Sequence, residues 1–141
     1  MQSTIIYRRV TGDDATLFER VADEVFDEAV DPTRLAAYLA APGHVMVIAL
    51  AGDTIVGQAA AVLHFHPDKV SEIYIDEVGV SPAWQRQGIA RRMVEELFAI
   101  GRERGCEEAW VGTELDNQPA RRLYRTSGGR EGTFVMYEYE L

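Results

Sequence analysis

The hydrophobic and polar positions of this chain follow two periods. Thr4-Ile5-Ile6-Tyr7-Arg8-Arg9-Val10 is rich in β-branched and aromatic residues and reads as a first strand. Thr11-Gly12-Asp13-Asp14 offers a helix start, and Leu17, Phe18, Val21 and Val25 recur at helical spacing, predicting a helix to about Glu28. Asp31-Pro32 starts a second short helix as N-cap and first-turn proline, and Pro42-Gly43 ends it. Val45 to Leu50, Thr54 to His64 and Val70 to Val80 read as strands, the first two joined by a tight turn at Ala51-Gly52-Asp53. The period changes at Ser81-Pro82. A long amphipathic helix is predicted over 88–104, with Ile89, Met93, Leu97 and Ile100 on one face and Gly105 as its C′ residue. Ala109 to Glu114 reads as a strand, Pro119 to about Gly128 as a helix and Thr133 to Leu141 as a terminal strand. The fold class is therefore mixed α/β, flanked by about four helices. An antiparallel meander comes first, and parallel pairing is expected among the late strand–helix units.

Composition narrows the class. The 141 residues read as one domain, 1–141, with 47% hydrophobic positions, one cysteine and a formal charge of −9. A chain of this size needs no disulfide or metal staple. The lone Cys106 allows no intrachain disulfide and fits a cytoplasmic location. Met1-Gln2-Ser3-Thr4 shows no signal-peptide pattern, and no apolar run reaches the roughly 20 residues of a membrane span. The acidic balance argues against nucleic-acid binding. Charge is unevenly placed: residues 1–80 carry net −8, residues 81–130 net +2 and residues 131–141 net −3. One basic stretch in an acidic chain suits an anion in one place and a cation in another. The acids also serve simple solubility.

The basic stretch holds the chemistry. In Val78-Gly79-Val80-Ser81-Pro82-Ala83-Trp84-Gln85-Arg86-Gln87-Gly88-Ile89-Ala90-Arg91-Arg92 a strand passes through a loop into a helix. The first N–H groups of that helix have no intrahelical partner and sit at the positive end of its dipole. Gly88 admits a phosphate close to the backbone, and Arg86, Arg91 and Arg92 add charge. The pattern is neither a P-loop nor a Gly-x-Gly-x-x-Gly fingerprint. An ordinary strand-to-helix turn is the alternative reading.

Gln85-x-x-Gly88-x-Ala90 after Val78-Gly79-Val80 resembles the acetyl-CoA signature of the GNAT N-acetyltransferases. Asn117-x-x-Ala120-x-x-Leu123-Tyr124, followed by Gly128, is similar to that family's second block. The order of elements agrees with the family fold from residue 5 to 141. That fold is a mostly antiparallel central sheet with a parallel, splayed strand pair. Ser71-Glu72-Ile73-Tyr74-Ile75, Arg86-Gln87-Gly88-Ile89-Ala90 and Gly129-Arg130-Glu131 also look like the small aminoglycoside 3-N-acetyltransferases within it. Ser127-Gly128-Gly129 departs from the family's common Leu-Gly-Phe, and Asn117-Gln118 departs from the acidic pair expected of the aminoglycoside group.

The resemblance implies acetyl-CoA as cosubstrate. Its pyrophosphate would lie on residues Gln85, Arg86, Gln87, Gly88, Ile89 and Ala90, with Arg91 beside them. Its pantetheine would lie along Val78, Gly79 and Val80 as an added strand. Asn117, Ala120 and Tyr124 complete the cofactor set. The Val80 N–H is the candidate to polarise the acetyl carbonyl. Tyr124 is the candidate acid for the departing thiolate, its phenol matched to a thiol; a core aromatic is the alternative. Asp76, Glu77, Glu114 and Asp116 are the acceptor-side acids. Strict alternation puts Asp76 and Glu77 on opposite faces unless a bulge intervenes. With the family's splayed sheet, Glu77 is the first choice of base and Glu114 the second; the acids otherwise only attract a cationic amine.

Other residues carry less. Cys106 lacks a neighbouring base, which disfavours a covalent acetyl-cysteine route. His64 and His66 offer two imidazoles without a third ligand at suitable spacing, so no metal is expected. Trp84 covers the cofactor loop or simply packs. The leading reading is direct acetyl transfer to a primary amine of a small cationic substrate, an aminoglycoside above all. Acetylation of a protein N-terminus, a lysine or a metabolite amine is the alternative, and an acetyl-CoA-binding regulatory module the non-enzymatic one. A homodimer is expected from the resemblance alone.

Overall fold

A computed structural model describes residues 4–141. Its sheet contains β1 (Ile5–Arg9), β2 (His44–Ala51), β3 (Thr54–His64), β4 (Glu72–Val80) and β5 (Glu108–Val111), in the spatial order of the sequence. The first three pairings are antiparallel, and β4–β5 is parallel. Among the described residues three α-helices flank it: α1 (Pro32–Ala40), α2 (Ile89–Glu103) and α3 (Gln118–Thr126). No helix among the described residues is long and apolar enough to cross a membrane.

Both faces of the central strands are covered, which is why β2 and β3 read as continuous apolar runs. Val47, Ala49, Ala59 and Ala61 pack against Met93, Leu97 and Ile100 of α2. Met46, Ile48, Leu50 and Ala60 pack on the other face with Phe18 and Val25, and Leu35 and Tyr38 of α1 lie against them. The caps follow the sequence reading. Asp31 accepts from Thr33 N and Arg34 N, at 2.8 and 3.2 Å. After α2, Cys106 N donates to Gly101 O and Gly105 N to Arg102 O, with Gly105 in the left-handed region.

Two expected elements are corrected. The helix predicted to run to Glu28 is only a 3-10 turn, Ala15–Glu19, which leaves three α-helices among the described residues where about four were expected. Beyond it the backbone bonds to the start of β3: Ile55 N donates to Arg20 O, and Ala22 N to Ile55 O. Val21 forms a parallel bridge with Ile55, and Glu24 takes φ 61°. Carbonyls and amides spent on a strand cannot also close helical turns. The terminal strand predicted over Thr133–Leu141 is likewise absent. That segment pairs with no strand among the described residues, and its side chains are exposed.

Candidate active site

The parallel β4–β5 pairing runs from Glu72↔Glu108 to Ile75↔Val111 and stops. Beyond it the strands part, leaving the edge of β4 from Asp76 to Val80 open. The orientation of that edge follows from the ladder. Ser81 N donates to Val56 O, at 2.9 Å. Antiparallel pairs alternate, so Val80, one residue back, turns its N–H away from β3 toward the open edge, and Val78 does the same. Gln85 Nε2 donates to Val80 O at 3.0 Å, pinning the loop that follows to the strand end.

That loop ends on α2. Arg86 and Gly88 both have positive φ, 64° and 81°, and no side chain caps the helix start. The N–H groups of its first turn are therefore free for an anion. A groove of about 770 Å³ runs from the β4 edge over this helix end to α3. Its walls include Val78, Val80, Gln85, Arg86, Gly88, Ile89, Ala90 and Arg91 from the first motif and Asn117, Ala120 and Tyr124 from the second. Two of the expected cofactor residues are not among its walls. Gly79 points to the other face, and Gln87 sits in the loop. Four walls were missed by sequence reasoning: Pro119, Arg122, Leu123 and Thr126. They follow the helical period of the second motif, which was the signal available. Arg91 donates to the Thr126 hydroxyl, tying α2 to α3 across the groove. Trp84 does both things the sequence allowed, lining the groove and packing on the core.

Asn117 also has a structural task. Its side chain accepts from Ala120 N at 3.1 Å and caps α3. The exit of α3 explains Ser127-Gly128-Gly129. Gly128 N donates to Arg125 O and Gly129 N to Tyr124 O, with Gly128 at φ 98°. A Cβ on Gly129 would lie 2.7 Å from Tyr124 O, so the glycine is fitted to the turn carrying Tyr124. Tyr124 is half-buried, and burial raises its phenol above the ordinary value of 10.0. Its hydroxyl makes no hydrogen bond among the described residues.

The acidic side is made by a β-bulge. Ala60 pairs with Glu77 but Ala61 with Ile75, so Asp76 is an extra residue in β4. Ile73 and Ile75 point toward α2. Strict alternation would send Glu77 the same way, and the bulge turns it to the α1 face opposite Ala60. There burial, then the charges of Asp27 and Asp76, hold the Glu77 carboxyl above its usual range. Asp76 is raised by burial and restrained by His44. Burial and the same two β4 acids push Tyr38 up to about 12. Asp27, Tyr38 and His44 thus belong to this cluster, and no local motif marked them. β5 ends at Val111, short of Glu114, and neither Glu114 nor Asp116 is among the charges that shift Glu77.

Gly79 lies where the two sides meet. A Cβ there would stand 2.3 Å from Val25 O, which also accepts from Gln58 Nε2. Gly79→Ala is expected to cost about 1–3 kcal/mol of stability through overpacking, read as a lower denaturation midpoint. An unchanged midpoint would show that the Val25 segment yields freely.

The remaining sequence candidates fall outside the groove. Cys106 is part-buried, and burial raises its thiol, which keeps it protonated. His64 and His66 do find a third donor, from the strand register rather than local spacing. Glu72 stands opposite His64, and its Oε1 lies 3.4 Å from His64 Nδ1 and 2.9 Å from His66 Nε2.

Comparison with known proteins places this geometry. A profile described as the Acetyltransferase (GNAT) family matches residues 13–128. N-alpha-acetyltransferase RimI of Mycobacterium tuberculosis is 32% identical over 104 residues, which are 74% of this chain and 63% of that protein. The chain thus spans somewhat under two-thirds of that relative. Among solved structures, an aminoglycoside acetyltransferase from an uncultured soil metagenomic sample, meta-AAC0020 in complex with trehalose, superposes with a TM-score of 0.83. Identity is 22%, covering 97% of this chain and 96% of that one. AAC(6')-Iy with a bisubstrate analogue gives 0.80 at 19% identity, covering 99% of each chain. These two speak to the fold. With the family profile spanning most of its length, the chain belongs to the GNAT acetyltransferase family.

Proposed function

We propose that the protein is an acetyl-CoA-dependent N-acetyltransferase that passes acetyl directly to a primary amine of a small cationic substrate, with an aminoglycoside as acceptor and its 3-amine as the position modified. The observation that carries this reading is the open β4 edge, which leads into an uncapped helix N-terminus on one face and carries a bulge-exposed Glu77 on the other. The groove suits the cosubstrate: its size is ordinary for such a site, free backbone groups of Val78 and Val80 match an extended amide chain, and the start of α2 matches a pyrophosphate. Neighbours support the choice, since AAC(6')-Iy is solved with CoA.

Acetyl-CoA, when bound, supplies the activated acetyl group. The Val80 N–H polarises the acetyl carbonyl. Tyr124, kept protonated by burial, delivers a proton to the departing sulfur. Glu77, directly or through water, takes the proton of the attacking amine. Its raised pKa brings it nearer the working range of a base than an ordinary carboxylate. Asp27 and Asp76 add negative charge that favours a polycationic acceptor. The structure of meta-AAC0020 with sisomicin, at a TM-score of 0.82, supports the aminoglycoside class. RimI supports the second reading, acetylation of a protein N-terminus.

The test is thiol release from acetyl-CoA with a panel of aminoglycosides, polyamines and N-terminal peptides, the acetyl position being assigned by NMR. Aminoglycosides are expected to give the highest kcat/KM. Turnover confined to peptides would overturn the acceptor assignment. Absence of turnover with thermal stabilisation by acetyl-CoA would favour a regulatory module.

A further inference from the structure

The connection between β3 and β4 carries a cluster that acetyl transfer does not use. His64 is the last residue of β3 and Glu72 the first of β4, and the two stand directly opposite in the register. His66 lies two residues into the connection, and its ring sits beside that of His64 with centroids 4.2 Å apart. One carboxylate oxygen faces both rings. Glu72 Oε1 is 2.9 Å from His66 Nε2, a hydrogen bond in this structure, and 3.4 Å from His64 Nδ1. The three residues each offer a ligand atom within 4.8 Å of the others. The His66 and Glu72 side chains are 15% and 20% exposed and that of His64 is 52% exposed, so the cluster is held on its inner side and reached from solvent on the other.

The charge around it calls for a cation. Glu108 of β5 stands beside Glu72 in the parallel register, so two carboxylates share one face. Like charges so placed repel. Among the described residues the two histidines are the ion-pair partners of Glu72, and no lysine or arginine joins them.

We propose that His64, His66 and Glu72 bind one divalent transition cation, which clamps the β3–β4 connection. Two imidazoles and a carboxylate suit that class of ion and leave a position for water. The hydrogen bond means that His66 Nε2 and Glu72 Oε1 already point at each other, and the cation takes the place of the proton between them. With its proton on Nδ1, a neutral imidazole presents the Nε2 lone pair. Zinc bonds of about 2.0 Å set tetrahedral ligands roughly 3.3 Å apart. His64 Nδ1 stands near that spacing from Oε1, and His66 Nε2 has to draw back by a few tenths of an ångström. Paired strand ends fix two of the three ligands, which leaves little for the ion to order. The site lies at the opposite end of β4 from Val80, roughly 26 Å along the strand at about 3.3 Å per residue. It therefore closes a loop and takes no part in transfer.

Equilibrium dialysis of the untagged full chain against zinc, paired with thermal denaturation, tests this. One zinc per chain is expected, with the denaturation midpoint raised by about 5 °C or more at a hundredfold excess over the dissociation constant. His66→Ala and Glu72→Gln are expected to lose both effects. So is His64→Ala, whose side chain is half-exposed and makes no hydrogen bond among the described residues, so that folding is retained, as circular dichroism would register. No stoichiometric zinc overturns the proposal. Stoichiometric zinc that survives any of the three substitutions overturns it too, and so does zinc that binds without moving the midpoint.

Discussion

Replacing Tyr124 with phenylalanine is expected to lower kcat by about 100- to 10,000-fold, the range a positioned proton donor contributes, while the KM for acetyl-CoA stays within a few-fold. The substitution removes one hydroxyl that makes no hydrogen bond among the described residues and keeps the ring packed against the core below the groove. Loss of fold or cosubstrate binding is therefore not expected. The sign of the pH effect follows from burial. The phenol titrates above 10.0, so the wild-type enzyme keeps its acid through neutral and mildly alkaline pH. A variant with unchanged kcat would return Tyr124 to the role of a core aromatic.

The second large effect is at Glu77. Glu77→Gln is expected to reduce kcat/KM by about 100-fold or more and to abolish the acidic limb of the pH profile. That limb lies above the ordinary carboxylate value of 4.5, because burial, Asp27 and Asp76 disfavour the charged form. A rise in KM for the amine with the acidic limb intact would make Glu77 a binding residue only. Stability should move the other way. The folded-state pKa is raised, so the unfolded chain ionises first as pH rises, and the glutamate opposes folding increasingly until the folded pKa is passed. A glutamine side chain carries no such charge, and the variant should melt higher than wild type near neutral pH, as buried catalytic acids commonly do when neutralised.

The sequence and the structure part at places with a common physical origin. The loop from Val80 to Ala90 and the caps at Asp31 and Gly105 were legible because each depends on neighbours in sequence; the left-handed turn at Gly88 and the Asn117 cap came only with the structure. The bulge was foreseeable only as a condition: alternation sets Asp76 and Glu77 apart, and the register with Ala60 and Ala61 decides their faces. Tyr38 reaches the acid cluster through tertiary packing on β2 and β3, and Asp27 follows Phe26, which packs there too; no local period records either. The helix expected to run from the Thr11–Asp14 start to about Glu28 failed because Arg20 and Ala22 bond to Ile55, a partner over thirty residues away. Residues 133–141 have a strand's pattern, but pairing needs an edge, and pattern alone does not say whose. His64 and His66 lacked a third donor until the β3–β4 register supplied Glu72.

The opposed placement of the Val78–Val80 edge and Glu77 supports a single displacement in which amine and thioester are bound together. Initial velocities over a grid of acetyl-CoA and aminoglycoside concentrations, with the intact protein weighed after acetyl-CoA alone, test this most directly. Intersecting double-reciprocal lines and an unmodified chain are predicted. Parallel lines with an acetylated residue, Cys106 above all, would show a covalent route and contradict direct transfer.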